Sequence, residues 1–240
     1  MTRPPHVLLD VEGTTTPVEF VTQTLFPLAL ERLGPYLAAH RDDPQVQAHM
    51  AQLRSSWEAE DAASGRPGWI GAVDDPWAAS TYAAWLTRQD RKLTALKALQ
   101  GLVWADEYRS GRLVAPVYDD VAPALERWAR RGAPASIFSS GSVLAQRLLF
   151  EHTSSGDLSH LLGEHFDTTT GPKREAMSYT AIAQRLALAP HDMLFVSDTE
   201  AELEAARAAG MQTALCLRDG ATDAHGAGRH RGVESLSPLG

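Results

Sequence analysis

Val7-Leu8-Leu9-Asp10-Val11-Glu12-Gly13-Thr14-Thr15-Thr16 joins an apolar run directly to an acid, a glycine and hydroxyl residues. That order reads as a buried parallel strand ending in a polar loop, and the carboxyl edge of an open α/β sheet is where sites are built. Asp10 and Glu12 lie two apart, so if extended geometry persists past Leu9 their side chains leave on one face. Two carboxylates in one space are costly unless a cation neutralises them or one keeps its proton. Gly13 permits a turn closed to other residues, and the amides and hydroxyls of Thr14 and Thr15 can then face an anion. Taken alone, the stretch reads better as an acidic strand-end loop with a helix cap, so the rest of the chain decides.

The rest of the chain repeats the strand-then-loop pattern. Ala135-Ser136-Ile137-Phe138 is a short strand, followed by Ser139-Ser140-Gly141-Ser142 and a helix from Val143 to His152. A serine cap and an anion site at free helix amides both fit that junction. His165-Phe166-Asp167 reads as a further short strand, and Gly171-Pro172-Lys173-Arg174-Glu175 as the start of a helix running through Tyr179, Ile182 and Leu186. A lysine in a first turn opposes the helix dipole, so an anion beside Lys173 or Arg174 would relieve the conflict. On this reading, Lys173→Ala leaves the ligand-free stability unchanged or slightly higher. Met193-Leu194-Phe195-Val196 is the last unmistakable buried strand and ends in Ser197-Asp198-Thr199-Glu200. Asp198, before the helix, is the acid hardest to explain as helix chemistry. Glu200, Glu202 and Glu204 sit where the dipole favours acids with or without a metal. Gln212 to Leu217 is one more strand, and beyond Asp219 the Gly, His and Ala content with little periodicity reads as a surface tail.

Residues 17–115 interrupt this pattern with helices. Phe20, Leu25, Phe26, Leu28, Ala29 and Leu33 form an apolar stripe, with Gly34-Pro35 as its expected stop. Asp42-Asp43-Pro44 and Asp75-Pro76 are helix starts, and a further helix runs from Leu93 to Leu99. The tryptophans here (Trp57, Trp69, Trp77, Trp85 and Trp104) read as packing residues. The division expected is an α/β core from 1–16 and 116–240, with a helical lobe at 17–115 inserted after the first strand.

Composition sets the limits. A chain of 240 residues with 44% hydrophobic and 22% charged residues has the make-up of an ordinary globular protein able to bury a full core. A formal charge of −8 with no basic block argues against nucleic acid or an anionic membrane surface as partner. No apolar run approaches a membrane span, and Met1-Thr2-Arg3-Pro4-Pro5 leads straight into the first strand, so neither a transmembrane helix nor a signal peptide is expected. Cys216 is the single cysteine, which suits a reducing cytoplasm.

Asp10, Glu12, Ser139, Ser140, Lys173 and Asp198 thus fall at strand ends and one helix start that a parallel sheet can bring to one edge. Carboxylates for a hard cation, hydroxyls and amides for phosphate oxygens and one lysine suit magnesium and a phosphorylated small molecule. In order and spacing these residues resemble the four motifs of the haloacid dehalogenase superfamily. Asp10-Val-Glu-Gly-Thr-Thr-Thr-Pro17, Ser139-Ser-Gly-Ser-Val143, Phe166-Asp-Thr-Thr-Thr-Gly-Pro-Lys-Arg-Glu-Ala176 and Leu99-Gln-Gly-Leu-Val-Trp104 resemble, more closely, the enolase-phosphatase E1 family of methionine salvage. The similarity runs from about His6 to Leu217. It departs at Glu107-Tyr108, where the family usually has Gly-Tyr, and at Glu151, where a glycine is common.

The resemblance implies a Rossmann-like parallel sheet with an inserted helical cap. It also implies a Mg2+-dependent, cytoplasmic enzyme, expected to be a monomer, that converts 2,3-diketo-5-methylthiopentyl 1-phosphate to an acireductone and phosphate. By the same resemblance Asp10 is the nucleophile and Glu12 the acid-base group, its backbone carbonyl facing the metal. Lys173 is catalytic and binds substrate with Ser139 and Ser140, and Asp10, Glu12 and Asp198 hold the metal. Two alternatives are another phosphatase or phosphomutase of the superfamily, and a magnesium-binding module without activity.

Overall fold

The computed structural model describes residues 4–91, 93–218 and 229–239. It divides the chain into two compact units, one made of residues 1–20 with 114–240 and the other of residues 21–113.

The first unit is built on a six-stranded sheet. In chain order it holds β1 (His6–Leu9), α1 (Val18–Phe20) and, after the inserted unit, α6 (Val121–Arg130), β2 (Ala135–Phe138) and α7 (Val143–Glu151). It continues with β3 (Leu162–Phe166), α8 (Ala176–Arg185), β4 (Met193–Ser197), α9 (Glu200–Ala208), β5 (Gln212–Cys216) and β6 (Arg231–Val233). The strands lie in the order β3-β2-β1-β4-β5-β6, and every pairing is parallel. β2 and β4 are buried along their whole length, as continuous apolar runs covered on both faces require. One side of the sheet is filled by Leu8, Phe138, Phe166, Tyr179, Ile182, Phe195 and Leu203. β1 is central: the chain winds outward through β2 and β3, then returns to its other side at β4. The order therefore reverses at β1/β4, and in such sheets the crevice opens there, beyond the carboxyl ends of the strands.

The inserted unit packs α2 (Phe26–Ala39), α3 (Pro44–Ala59), α4 (Pro76–Arg88) and α5 (Thr94–Arg109) around Leu33, Leu37, Val46, Met50, Leu53, Tyr82, Leu86, Leu99 and Val103. Asp43 and Asp75 cap α3 and α4 by accepting from Gln45 and Val46, and from Trp77 and Ala78. The following prolines need no amide partner in the first turn. Gly34-Pro35 does not stop α2, because burial of Leu33 and Leu37 on either side of the pair carries the helix through it. Trp77 is 58% exposed, whereas Trp57, Trp69 and Trp104 each donate their indole N–H to a backbone carbonyl. Glu107, the departure noted in the sequence, is buried and held by two hydrogen bonds from Arg112 at 2.9 and 3.1 Å.

The end of the chain corrects another expectation. Residues 219–228 and Met1–Arg3 lie outside the described residues, but the stretch after them is not a surface tail. β6 adds to the sheet beside β5, and Leu236 and Leu239 are buried. Arg127 and Trp128 of α6 donate to the carbonyls of Leu236 and Leu239, so long-range docking supplies what local periodicity lacked. Among the described residues no helix is long and apolar enough to cross a membrane.

Arg218, after β5, ties this C-terminal part to the first loop. It donates to the Thr14 carbonyl at 2.7 and 3.1 Å and pairs with Asp120 at 2.8 Å, while the Leu236 amide donates to the other Asp120 oxygen. Burial pushes the Asp120 carboxyl up, but the Leu236 amide and the Arg218 guanidinium outweigh it and hold it below the usual range. Asp120→Ala leaves the guanidinium without its partner and should cost about 3 kcal/mol at neutral pH, the low end for a pair that keeps some solvent access. A carboxyl depressed in the folded state stabilises above its unfolded pKa of about 3.9 and loses that contribution as pH falls through its folded value. Urea unfolding should therefore separate variant and wild type at pH 7, with a gap that narrows below about pH 4.

Candidate active site

β1 ends at Leu9, one residue before the acid, and the Asp10 amide still donates to Val196 across the β1/β4 pairing at 2.9 Å. The backbone then bends, so the extended geometry that would have set Asp10 and Glu12 on one face stops short. Asp10 is 4% exposed. Its Oδ1 accepts from the Val11 amide at 2.7 Å and faces Lys173 Nζ at 2.7 Å, while its Oδ2 accepts from the Ser197 hydroxyl at 2.9 Å. Glu12 is half-buried in an isolated bridge with Thr16, and Thr14, Thr15 and Thr16 are fully buried.

Lys173 is not in a first turn, which corrects the helix start expected at Gly171. α8 begins at Ala176, and the loop before it is pinned by α8 itself: Ser178 donates to the Pro172 carbonyl and Tyr179 to the Lys173 carbonyl, each at 2.7 Å. Gly171 has φ +146° and a β-carbon there would overlap the Ser178 hydroxyl, so helical backbone cannot begin at this residue. From the loop the lysine reaches Asp10 on one side and Glu202 Oε2, 2.6 Å away, on the other. Burial works against the ammonium, but the charges of Asp10 and Glu202 outweigh it and raise the Lys173 pKa.

Glu202 is the residue that sequence reasoning left out of the site. Acids are common in first turns and conceal it, although its place four residues after Asp198 was the available signal. Burial, then the Asp10 charge, pushes its carboxyl up to about 7, against the pull of Lys173 and Ser197. Ser197 also lies 3.2 Å from Glu202, and with a single proton its hydroxyl donates to Asp10 or to Glu202, not both.

Asp198 follows β4, the strand on one flank of β1, and Ser139 and Ser140 follow β2 on the other. Desolvation and the charge of Asp10 push the Asp198 carboxyl up, though its side chain keeps a solvent-facing side. Gly13 has φ +69°, and a β-carbon there would overlap the Asp198 carboxylate, so the loop is shaped to let that carboxylate lie against it. Ser139 is buried, with its amide donating to Phe166 and its hydroxyl accepting from Gly141. At α7, Ser142 caps the Ala145 amide and Asp167 takes the Val143 amide, so these two are not free for an anion.

Among the described residues the carboxylates of Asp10, Glu202 and Asp198 outnumber the Lys173 ammonium beside them, and carboxylate oxygens are the kind of donor a hard divalent cation takes. Asp198, raised by desolvation and then by the negative field of Asp10, is the carboxylate such an ion would relieve. A parallel sheet with an acid at the end of its central strand, a second after β4 and a buried lysine between carboxylates is the arrangement of a phosphoryl-transfer hydrolase. Residues 5–210 match the family model of haloacid dehalogenase-like hydrolases. Fold alone is shared with CbbY from Rhodobacter sphaeroides, 16% identical with a TM-score of 0.59 over 99% of this chain and 97% of that one.

Nearer relatives narrow the class. Enolase-phosphatase E1 from Synechococcus elongatus is 52% identical over 89% of both chains, and that from Sorangium cellulosum is 50% identical over 97% of this chain and 96% of the relative. The Saccharomyces cerevisiae UTR4 protein is 31% identical with a TM-score of 0.78, over 99% of this chain and all of that one. The chain belongs to the enolase-phosphatase E1 family of haloacid dehalogenase-like hydrolases.

The position of Lys173 reverses the expectation for its removal. Without the ammonium, Asp10 and Glu202 are left as uncompensated neighbours, so Lys173→Ala should destabilise the ligand-free protein by about 3–5 kcal/mol near pH 8. Glu202 can take up a proton as pH falls toward 6, so the loss should shrink there. Chemical denaturation in chelator at both pH values measures this, and a variant as stable as wild type at pH 8 would remove the structural role.

Proposed function

We propose that this protein is a magnesium-dependent enolase-phosphatase that converts 2,3-diketo-5-methylthiopentyl 1-phosphate to its acireductone and phosphate in methionine salvage, acting in the cytoplasm. The observation that carries the reading is the buried Lys173 held between Asp10 and Glu202 at the carboxyl end of β1, in a chain whose relatives are enolase-phosphatases.

Asp10 attacks phosphorus in line. Its Oδ1 is fixed by Val11 and Lys173, and its Oδ2 keeps a lone pair beside the proton of Ser197. A P–O bond forms to the carboxylate, the P–O bond to the substrate breaks, and water later hydrolyses the aspartyl phosphate. Lys173 balances charge on the nucleophile and on the transferred group. Ser139 contributes its hydroxyl proton to a phosphate oxygen, since its amide is already used, and Ser140 binds beside it. Glu12 gives its proton to the leaving oxygen and then activates water. Glu202 holds Lys173 toward Asp10.

Asp10, Asp198 and the Glu12 backbone carbonyl hold Mg2+. When bound, the ion offsets repulsion between the incoming phosphate and Asp10. The helical unit of residues 21–113 serves as the cap, a role supported by its insertion in the chain soon after the first strand.

Incubation with the diketone phosphate, following enol absorbance and phosphate release together, tests the reading. Wild type should give both signals and Asp10→Asn no phosphate, because an amide is not a competent nucleophile. Glu12→Gln keeps its backbone carbonyl and should slow phosphate release by about 10²- to 10⁴-fold. If Glu12 serves only the phosphoryl step, enol phosphate accumulates at close to the normal rate. Phosphate release at the wild-type rate in Glu12→Gln would sink the acid-base assignment.

A further inference from the structure

A second group of ligating side chains lies on α9, away from the residue that this helix gives to the active site. Glu200 and Glu204 are one turn apart on a shared face, whereas Glu202, two positions along, is turned by roughly 200° toward Lys173. Facing Glu204 is His230, just before β6, whose side chain is wholly enclosed and whose Nε2 lies 3.3 Å from Glu204 Oε1. That approach lacks hydrogen-bond geometry, and among the described residues Nε2 is a buried polar atom with no hydrogen-bond partner. One ligand atom from each of Glu200, Glu204 and His230 lies within 4.8 Å of the other two.

We propose that Glu200, Glu204 and His230 bind a divalent transition-metal ion of the zinc class, at a site separate from the active centre. An imidazole nitrogen with two carboxylates suits zinc, whereas magnesium prefers oxygen alone. Two of the three ligands are already oriented from behind, as metal ligands are. The Thr213 hydroxyl lies 2.7 Å from His230 Nδ1, which leaves Nε2 toward the carboxylates. Arg207 donates to Glu204 Oε2 at 2.7 Å, which leaves Oε1 on the His230 side. Arg229 competes for Oε1 only through a long contact of 3.4 Å from a side chain 65% exposed, and such pairs are weak. Metal bonds of about 2.0–2.1 Å set ligand atoms roughly 3.3 Å apart, and His230 Nε2 and Glu204 Oε1 already lie 3.3 Å apart. The ion would fasten the first turn of α9 to the β5/β6 edge of the sheet.

The test uses the full-length protein carrying Asp198→Asn, in excess Mg2+, so that the active centre does not take up the probe. Calorimetric titration with Zn2+ should show one ion bound per chain and a raised thermal midpoint. Adding His230→Ala should abolish both, and Thr213→Val should weaken binding by about 10- to 100-fold. If His230→Ala fails to fold, Glu200→Gln, at a partly exposed position, should lower Zn2+ affinity with an unchanged circular dichroism spectrum. Absence of Zn2+ binding in the Asp198→Asn protein, or binding unaltered by His230→Ala and Glu200→Gln, overturns the proposal.

Discussion

One ammonium between two carboxylates governs the active edge of this protein. Lys173 stands within 2.7 Å of Asp10 and 2.6 Å of Glu202, and all three side chains are largely removed from water. In that setting each charge is costly alone, and the pairings decide which groups stay ionised. With more carboxylates than cations, the excess falls on Glu202, whose carboxyl is raised, and on Asp198, raised partly by Asp10 itself. These side chains therefore leave the site with more carboxylate than ammonium charge, in keeping with the divalent cation proposed for it.

The surrounding polypeptide holds the three groups in place. Tyr179 and Ser178 fix the carbonyls of Lys173 and Pro172, and Tyr179 is at the same time a fully buried core residue that meets Phe138 edge to face and Phe195 at a tilt. Arg218 grips the carbonyl of Thr14 from the far side of the first loop. The lysine is thus tied to the core and the loop after Asp10 to the C-terminal part of the chain.

The first loop and the serine loop after β2 were readable because their chemistry is local. An apolar strand running into Asp10, Gly13 at positive φ and serines after a short strand leave marks within a few residues, and so do the aspartate-proline starts of α3 and α4. Other features were hidden because a distant residue makes them. Glu202 looks like an ordinary first-turn acid until Lys173 is seen against it, and the C-terminal stretch has no periodicity of its own because β5 pairs with β6 and α6 holds Leu239.

The sequence by itself determined the strand-loop alternation, the inserted helical segment, the acid at the end of β1 and the family resemblance, since each depends on neighbours within a few positions. Only the tertiary structure decided that Lys173 lies in a pinned loop rather than a helix, that Gly34-Pro35 is carried inside α2, and that Ser197 and Glu202 join Asp10. Burial and charge pairing act between residues brought together from far along the chain, and in these places they outweighed the local preferences that a sequence displays.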